Sequence, residues 1–171
     1  RLIADHLSDY LFVPTKYGQE CARKEGIKDD NIFVTGNTIV DVVFQSLPKI
    51  DKNEILGKLD LKENGYMLIT AHRQENVDSK RKLTNLFEGL EEVFKEFNMP
   101  MVYPMHPRAK KMVETLGIKV PACIKVVEPI GFYDFLKLEK EARLIFTDSG
   151  GVQEESCIFN VPCVTLRENT E

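Results

Sequence analysis

The stretch Thr147-Asp148-Ser149-Gly150-Gly151-Val152-Gln153-Glu154-Glu155 decides how this chain folds. It follows the apolar run Leu144-Ile145-Phe146, which reads as a buried strand. Beyond it, Val152 to Phe159 carries apolar residues at helical spacing, and Pro162 separates that helix from Cys163-Val164-Thr165-Leu166. A strand, a Ser-Gly-Gly turn and a helix start in this order make an anion cradle. The glycines let a phosphate approach the backbone, and the free N–H groups of the first helical turn face it. Glu155 falls about one turn into the helix, too close for comfort to a phosphate but well placed to accept from ribose hydroxyls. A second reading stays open beside this one: Asp148 and Ser149 cap a helix, and the glycines serve a tight turn.

Outward from this stretch the same alternation repeats. Tyr66–Thr70, Met99–Pro104, Ile124–Val127, Leu144–Thr147 and Cys163–Leu166 are short continuous apolar runs. Helical patterns stand between them, the longest from about Ser79 to Phe97, with Leu83, Leu86, Phe87, Leu90, Val93, Phe94 and Phe97 on one face. Further helices are predicted over 54–59, 108–116 and 133–142. Strands of this kind alternating with helices predict an α/β fold, a Rossmann-like doubly wound parallel sheet covered on both faces. Ahead of it, Arg1–Ser8 reads as the tail of a helix begun earlier. Tyr10–Val13 and Asn31–Thr35 are brief strands, and Thr15 caps a helix to about Lys24. Gly36-Asn37-Thr38 opens a helix with Ile39, Val40, Val42, Val43 and Leu47 as its apolar set, and Pro48–Asn53 is a polar connector. Up to Asn53 there are thus two strands and two helices without a full sheet to join.

Composition narrows the function. With 23 basic and 27 acidic residues the formal charge is −4, which argues against a nucleic-acid partner and leaves a local phosphate site open. No apolar run approaches a membrane span. Cys21, Cys123, Cys157 and Cys163 lack metal-ligand spacing, so no metal site is expected, and they read as reduced core thiols of a cytoplasmic protein.

Ligands of such sheets bind outside the carboxyl ends of the strands. His72-Arg73-Gln74-Glu75-Asn76 follows one strand, His106-Pro107-Arg108 the next, and Glu128 to Tyr133 the third. The Ser-Gly-Gly turn follows the fourth. Together they favour a binding edge over loops that merely cap helices. Taken singly, each has a plainer reading. His72 could be a satisfied core histidine, Arg73 and Glu75 a surface pair, and His106-Pro107 a loop before a helix. Phe132, Tyr133 and Phe135 more often pack than stack on a base, and the charges over 110–111 and 137–143 read as solvated helix faces.

His72-Arg73-Gln74-Glu75-Asn76 with Thr147 to Glu155 resembles the non-hydrolysing UDP-N-acetylglucosamine 2-epimerase family. Thr35-Gly36-Asn37-Thr38-Ile39-Val40-Asp41 and His106-Pro107 are further matching segments, and the resemblance runs essentially end to end. It implies the second half of a GT-B-type two-domain enzyme, with 1–47 a remnant of the first Rossmann-like domain and 48–171 the UDP-binding one. Similar proteins continue past Glu171 into an Arg and further helices. They interconvert UDP-GlcNAc and UDP-ManNAc, an isomerase reaction that serves polysaccharide biosynthesis. The route is elimination of UDP to a 2-acetamidoglucal and re-addition, with no organic cofactor, usually in a homodimer.

The resemblance makes His72 the catalytic residue beside the diphosphate. Ser149, Gly150 and Gly151 become the diphosphate-binding turn, Glu155 the ribose-binding acid, and Phe135 the aromatic near the uridine, against its plainer reading. Arg73, Glu75 and His106 match positions that meet substrate or an activating second substrate molecule. The acid/base carboxylates of the family lie before Arg1. Gln74 and Arg108 depart from the familiar bacterial pattern, which leaves allosteric activation open. A hydrolysing relative, a GT-B glycosyltransferase and a non-enzymatic nucleotide-sugar binding module remain alternatives.

Overall fold

A computed structural model describes residues 2–168. The chain divides into two compact units, Arg1–Gln45 and Ser46–Glu171.

The first unit holds α1 (Leu2–Leu7), β1 (Leu11–Val13), α2 (Lys16–Lys24), β2 (Ile32–Val34) and the start of α3 (Thr38–Asp51). β1 and β2 pair in parallel, Leu11 opposite Ile32 and Val13 opposite Val34. Thr15 caps α2 as its position predicts, its Oγ1 accepting the Gly18 N–H at 3.0 Å. Gly26, just past that helix, has φ +90°, a conformation glycine adopts without the steric cost of a side chain.

α3 corrects one boundary. The sequence pattern ends it at Leu47, yet the helix runs through Pro48 to Asp51. Pro48 withdraws one donor from the helical ladder, and the far side of the proline is held by other means. Ile50 is fully buried. Within the second unit, Lys49 Nζ donates to the Tyr133 hydroxyl at 2.9 Å, Asn53 Nδ2 donates to Asp134 Oδ1 at 2.7 Å, and Lys140 pairs with Asp51. The buried stripe of α3 is Val43, Ser46 and Ile50, and Val42, expected among its apolar set, is exposed.

The second unit continues through α4 (Ile55–Lys58), β3 (Met67–Thr70), α5 (Gln74–Val77), α6 (Lys80–Phe97), β4 (Met101–Pro104) and α7 (Pro107–Thr115). It then adds β5 (Ile124–Val127), α8 (Phe132–Lys140), β6 (Leu144–Thr147), α9 (Gly150–Phe159) and β7 (Cys163–Thr165). The strands form one parallel sheet in the order β5-β4-β3-β6-β7. Alternate residues of β3 feed opposite cores. Met67 and Ile69 join Leu83, Phe87, Met101 and Tyr103 on one face, while Leu68 joins Tyr66, Val102, Leu138, Ile145 and Val152 on the other. The sheet is therefore covered on both sides, which is the doubly wound fold expected. Its strand order reverses between β3 and β6, and such a reversal opens a crevice at the carboxyl ends of those strands.

Local chemistry sets the helix ends. Ser79 Oγ accepts the Lys82 N–H at 3.4 Å at the start of α6, and Asn98 closes that helix in the left-handed conformation. Phe97, placed by periodicity on the apolar face, is 63% exposed because the helix ends before that face is covered again. α5 adds a single turn of helix directly after the residues that follow β3. The thiols are not core groups either, since Cys157 is exposed and Cys21, Cys123 and Cys163 are half-buried, all free. Among the described residues, no helix is long and apolar enough to cross a membrane.

Leu83 is fully buried beneath the long helix, so Leu83→Ala should cost about 3 kcal/mol of stability through lost burial and an unfilled cavity. Phe97→Ala should stay within about 0.5 kcal/mol. Denaturant titration of the two variants checks both values.

Candidate functional site

The crevice is organised by one buried carboxylate. β6 ends at Thr147, whose Oγ1 accepts the Ser149 N–H at 3.0 Å and turns the chain. Asp148 between them is completely buried. Its oxygens accept the His72 N–H at 3.0 and 3.1 Å, the Arg73 N–H at 2.9 Å and Asn76 Nδ2 at 3.0 Å. The same Asn76 amide donates to the Leu166 carbonyl at 2.8 Å. One side chain thus fastens the residues after β3 to the end of β6, and Asn76 extends the tie to the residue after β7. The capping role read for Asp148 is replaced by this one: Ser149 occupies the cap position of α9 and makes no side-chain cap bond.

His72 takes its position from that anchor. Its Nδ1 lies 3.5 Å from Asp148 Oδ1, an arrangement that suits an Nδ1–H directed at the carboxylate and leaves Nε2 for a ligand. The His106 ring stands 5.5 Å away, centroid to centroid, tilted by 34°. His106 does precede a helix, as the plainer reading held, and it caps α7 with Nδ1 accepting the Arg108 N–H at 3.2 Å. Arg108 in turn grips Asp78 through Nε at 3.2 Å and Nη2 at 2.6 Å. That hydrogen-bonded guanidinium holds the half-buried Asp78 carboxyl below its ordinary range. Arg108 is thereby committed to joining the loops after β3 and β4. Behind them Tyr103 donates its hydroxyl to the Ala71 carbonyl, and burial pushes that phenol well up.

Gly150 and Gly151 are the first residues of α9 rather than a turn before it. Neither glycine is forced by the fold. A Cβ on Gly150 would meet Arg167 Nη1 at 3.7 Å, one on Gly151 would meet Ser149 Oγ at 3.9 Å, and neither residue has positive φ. What glycine provides there is a bare helix start, with backbone N–H groups that a bulky anion can approach. Beside it, Arg73, Glu75, Asn76, Lys82, Leu166 and Arg167 line a groove of about 500 Å³.

The predicted site residues thus fall into two groups. His72, Arg73, Glu75 and His106 gather at the ends of β3 and β4. Ser149, Gly150, Gly151 and Glu155 lie on α9, and Phe135 is half-buried on α8, packed against the second core. Asp148 and Asn76 were in view in the motifs without a role toward each other, because spacing does not reveal a bond across the sheet. Arg167 carried no signal beyond its place after a strand. The run 137–143, read as a solvated helix face, is corrected: Lys137 and Glu139 are buried. Among the described residues, no three His, Cys, Asp or Glu side chains cluster so as to hold a metal.

The model of the UDP-N-acetylglucosamine 2-epimerase family matches residues 1–171. UDP-N-acetylglucosamine 2-epimerase of Methanocaldococcus jannaschii is 45% identical over 178 residues, covering 100% of this chain and 49% of that protein. UDP-2,3-diacetamido-2,3-dideoxy-D-glucuronate 2-epimerase of Pseudomonas aeruginosa is 35% identical, covering 100% of this chain and 47% of that protein. The crystal structure of the M. jannaschii UDP-GlcNAc 2-epimerase in complex with UDP-GlcNAc and UDP matches with a TM-score of 0.92, over 99% of this chain and 48% of that one. The chain spans about half the length of the curated relatives it matches.

Replacing Asp148 by Ala removes a fully buried acceptor and orphans the donors gathered on it. Asp148→Ala should cost about 3 kcal/mol, more than a neutral hydrogen bond contributes, because bonds to a charged group are the stronger kind. Thermal and denaturant unfolding of the variant checks this.

Proposed function

Because the chain belongs to the UDP-N-acetylglucosamine 2-epimerase family, we propose that it supplies the nucleotide-binding part of a non-hydrolysing enzyme that interconverts UDP-GlcNAc and UDP-ManNAc. In this reading residues 48–171 are the UDP-binding domain, and 1–47 belong with the other Rossmann-like domain of a cytoplasmic homodimer. The observation that carries the proposal is the pairing, at the switch point of the sheet, of a bare helix N-terminus with a histidine fixed by Asp148.

The reaction asks for charge stabilisation more than for covalent chemistry. In elimination a base removes the C2 proton, the C1–O bond breaks, and its electrons leave with UDP. Negative charge then grows on the diphosphate. Backbone N–H groups at Gly150 and Gly151 and the Ser149 hydroxyl can meet that charge without reorganising. His72, as imidazolium, would give one N–H to Asp148 and the other to the diphosphate. Re-addition of UDP at C1, with a proton delivered to the opposite face of C2, closes the cycle and leaves that centre inverted. Glu155 accepts from the ribose hydroxyls, Phe135 flanks the uracil, and Arg73, Glu75 and His106 face the sugar or a second substrate molecule. No carboxylate of this chain is assigned the C2 proton. The product would feed polysaccharide biosynthesis.

Calorimetric titration with UDP tests the nucleotide half of this reading. The 171-residue chain should bind UDP weakly and saturably, and the double variant Ser149→Ala with Glu155→Ala should lose the binding. A folded wild-type sample that binds none would overturn the assignment. The chain alone should exchange no C2 hydrogen of UDP-GlcNAc in deuterated water. In the whole enzyme the exchange should appear and His72→Asn should lower kcat about 100-fold, the usual loss for one oxyanion donor. Release of free N-acetylmannosamine would instead identify a hydrolysing relative, and an unchanged C2 a transferase.

A further inference from the structure

Glu139 lies near the end of α8 and is completely buried. Neither carboxylate oxygen meets an N–H or O–H donor. The nearby lysine on the same helix does not compensate it, because Lys137 is paired with Glu141 at 3.0 Å. The titratable groups that face Glu139 are Glu155 from α9, the Tyr66 phenol ahead of β3 and the Cys163 thiol at the start of β7. The Tyr66 hydroxyl is already donated to the Leu138 carbonyl at 2.6 Å. An ionised carboxylate without donors is not sustained in a protein interior, where it takes up a proton instead. Once Glu139 carries that proton, its orphaned oxygens are explained: the O–H is the donor, and the Glu155 carboxylate across the helix interface is the acceptor.

We propose that Glu139 is a positioning residue of the nucleotide site, held as the neutral acid so that its O–H fixes the Glu155 carboxylate. One Glu155 oxygen is then occupied by the proton of Glu139, and the other stays free to accept from a ligand's vicinal hydroxyls. The proposal rests on the reading of Glu155 as the ribose-binding acid. It assigns a role to a residue that touches no ligand and acts through its neighbour. Burial, and after it the charge of Glu155, pushes the Glu139 carboxyl from its ordinary 4.5 up to about 10. Burial also raises Glu155, but the hydrogen bond from Glu139 works in the opposite direction there, so the negative charge rests on Glu155.

A folded-state value above the unfolded one means that the chain takes up a proton as it folds. This contribution to stability is fully present below the unfolded value of 4.5, and it is lost as pH rises toward about 10. In Glu139→Gln the amide keeps a donor at every pH and that share of the slope disappears.

The test uses the 171-residue chain as wild type, Glu139→Gln and Glu139→Ala, with infrared spectra at pH 8, unfolding between pH 5 and 9, and UDP titration. The wild type should show the carbonyl band of a protonated carboxylic acid at pH 8, and Glu139→Gln should lack it. That variant should also lose about one proton of uptake on folding and hold UDP within about threefold of wild type. Glu139→Ala should bind UDP about tenfold more weakly, the worth of one hydrogen bond to a charged group. Absence of the band from the wild type, its survival in Glu139→Gln, or wild-type affinity in Glu139→Ala would overturn the proposal. The band and the slope report on the carboxyl pair without any nucleotide. If they behave as stated while the folded wild type binds no UDP, the pair stands, but the ribose-binding reading of Glu155 fails and the positioning role fails with it.

Discussion

A parallel sheet that reverses its strand order leaves two neighbouring strand ends with their following loops turned away from each other, and something must close the seam between them. Here that is the Asp148 carboxylate. It is completely buried and gathers the backbone N–H groups of His72 and Arg73 together with the Asn76 side chain. A buried carboxylate is tolerated when its lone pairs are met by donors of good geometry. The requirement also runs the other way. Because the donors are main-chain groups of the loop after β3, meeting them fixes that loop's path and turns Gln74–Val77 into helix. Through Asn76 the constraint reaches the Leu166 carbonyl. The ends of three strands are therefore tied together without any long side chain spanning the crevice.

That economy leaves the crevice free for a ligand. Asp148 faces inward, so its charge is spent on the protein. What faces outward is the bare start of α9, the His72 and His106 rings, and a groove carrying Arg73, Lys82 and Arg167. A chain with a net charge of −4 thus gathers three cationic side chains at this edge, beside Glu75 and Glu168. Arg108 is adjacent in sequence to this edge but is committed to Asp78. Its charge serves to join two loops, which is why its position after His106-Pro107 carries less information about ligands than the motif implies.

Much of this was legible in the sequence, for a definite reason. Strands buried on both faces are continuous apolar runs, and the strands of the main sheet are each short and bounded by polar loops, so the fold class followed. The cap at Thr15 followed from side-chain chemistry acting over three residues. The misreadings share a different cause. Local propensity ends the helix at Pro48, whereas burial of Ile50 and bonds from Asn53 and Lys140 outweigh one missing donor. Period places Phe97 on the apolar face, but period does not say where the covering layer ends. Charge places Lys137 and Glu139 toward solvent, and only the packing of α8 shows them buried. The partners of Asp148 lie more than seventy residues away in sequence, and no local pattern carries such a pairing.

Two acidic groups without any exposure, Asp148 and Glu139, make the underlying logic plain. Asp148 and Glu139 are both inaccessible to water, and they differ in what surrounds them. Asp148 stands where a strand ends and a loop begins, a place rich in unpaired backbone N–H groups, so the protein can supply donors at little cost. Glu139 stands inside a helix whose own N–H groups are already engaged in the helical ladder, facing a second carboxyl across the α8–α9 contact. No backbone donor can be offered there, and the remaining way to satisfy the group is a proton shared with Glu155. Position in the fold, more than residue type, thus determines whether a buried carboxyl is met by donors or by a proton. In the first case it organises a backbone, and in the second it orients the acid beside it.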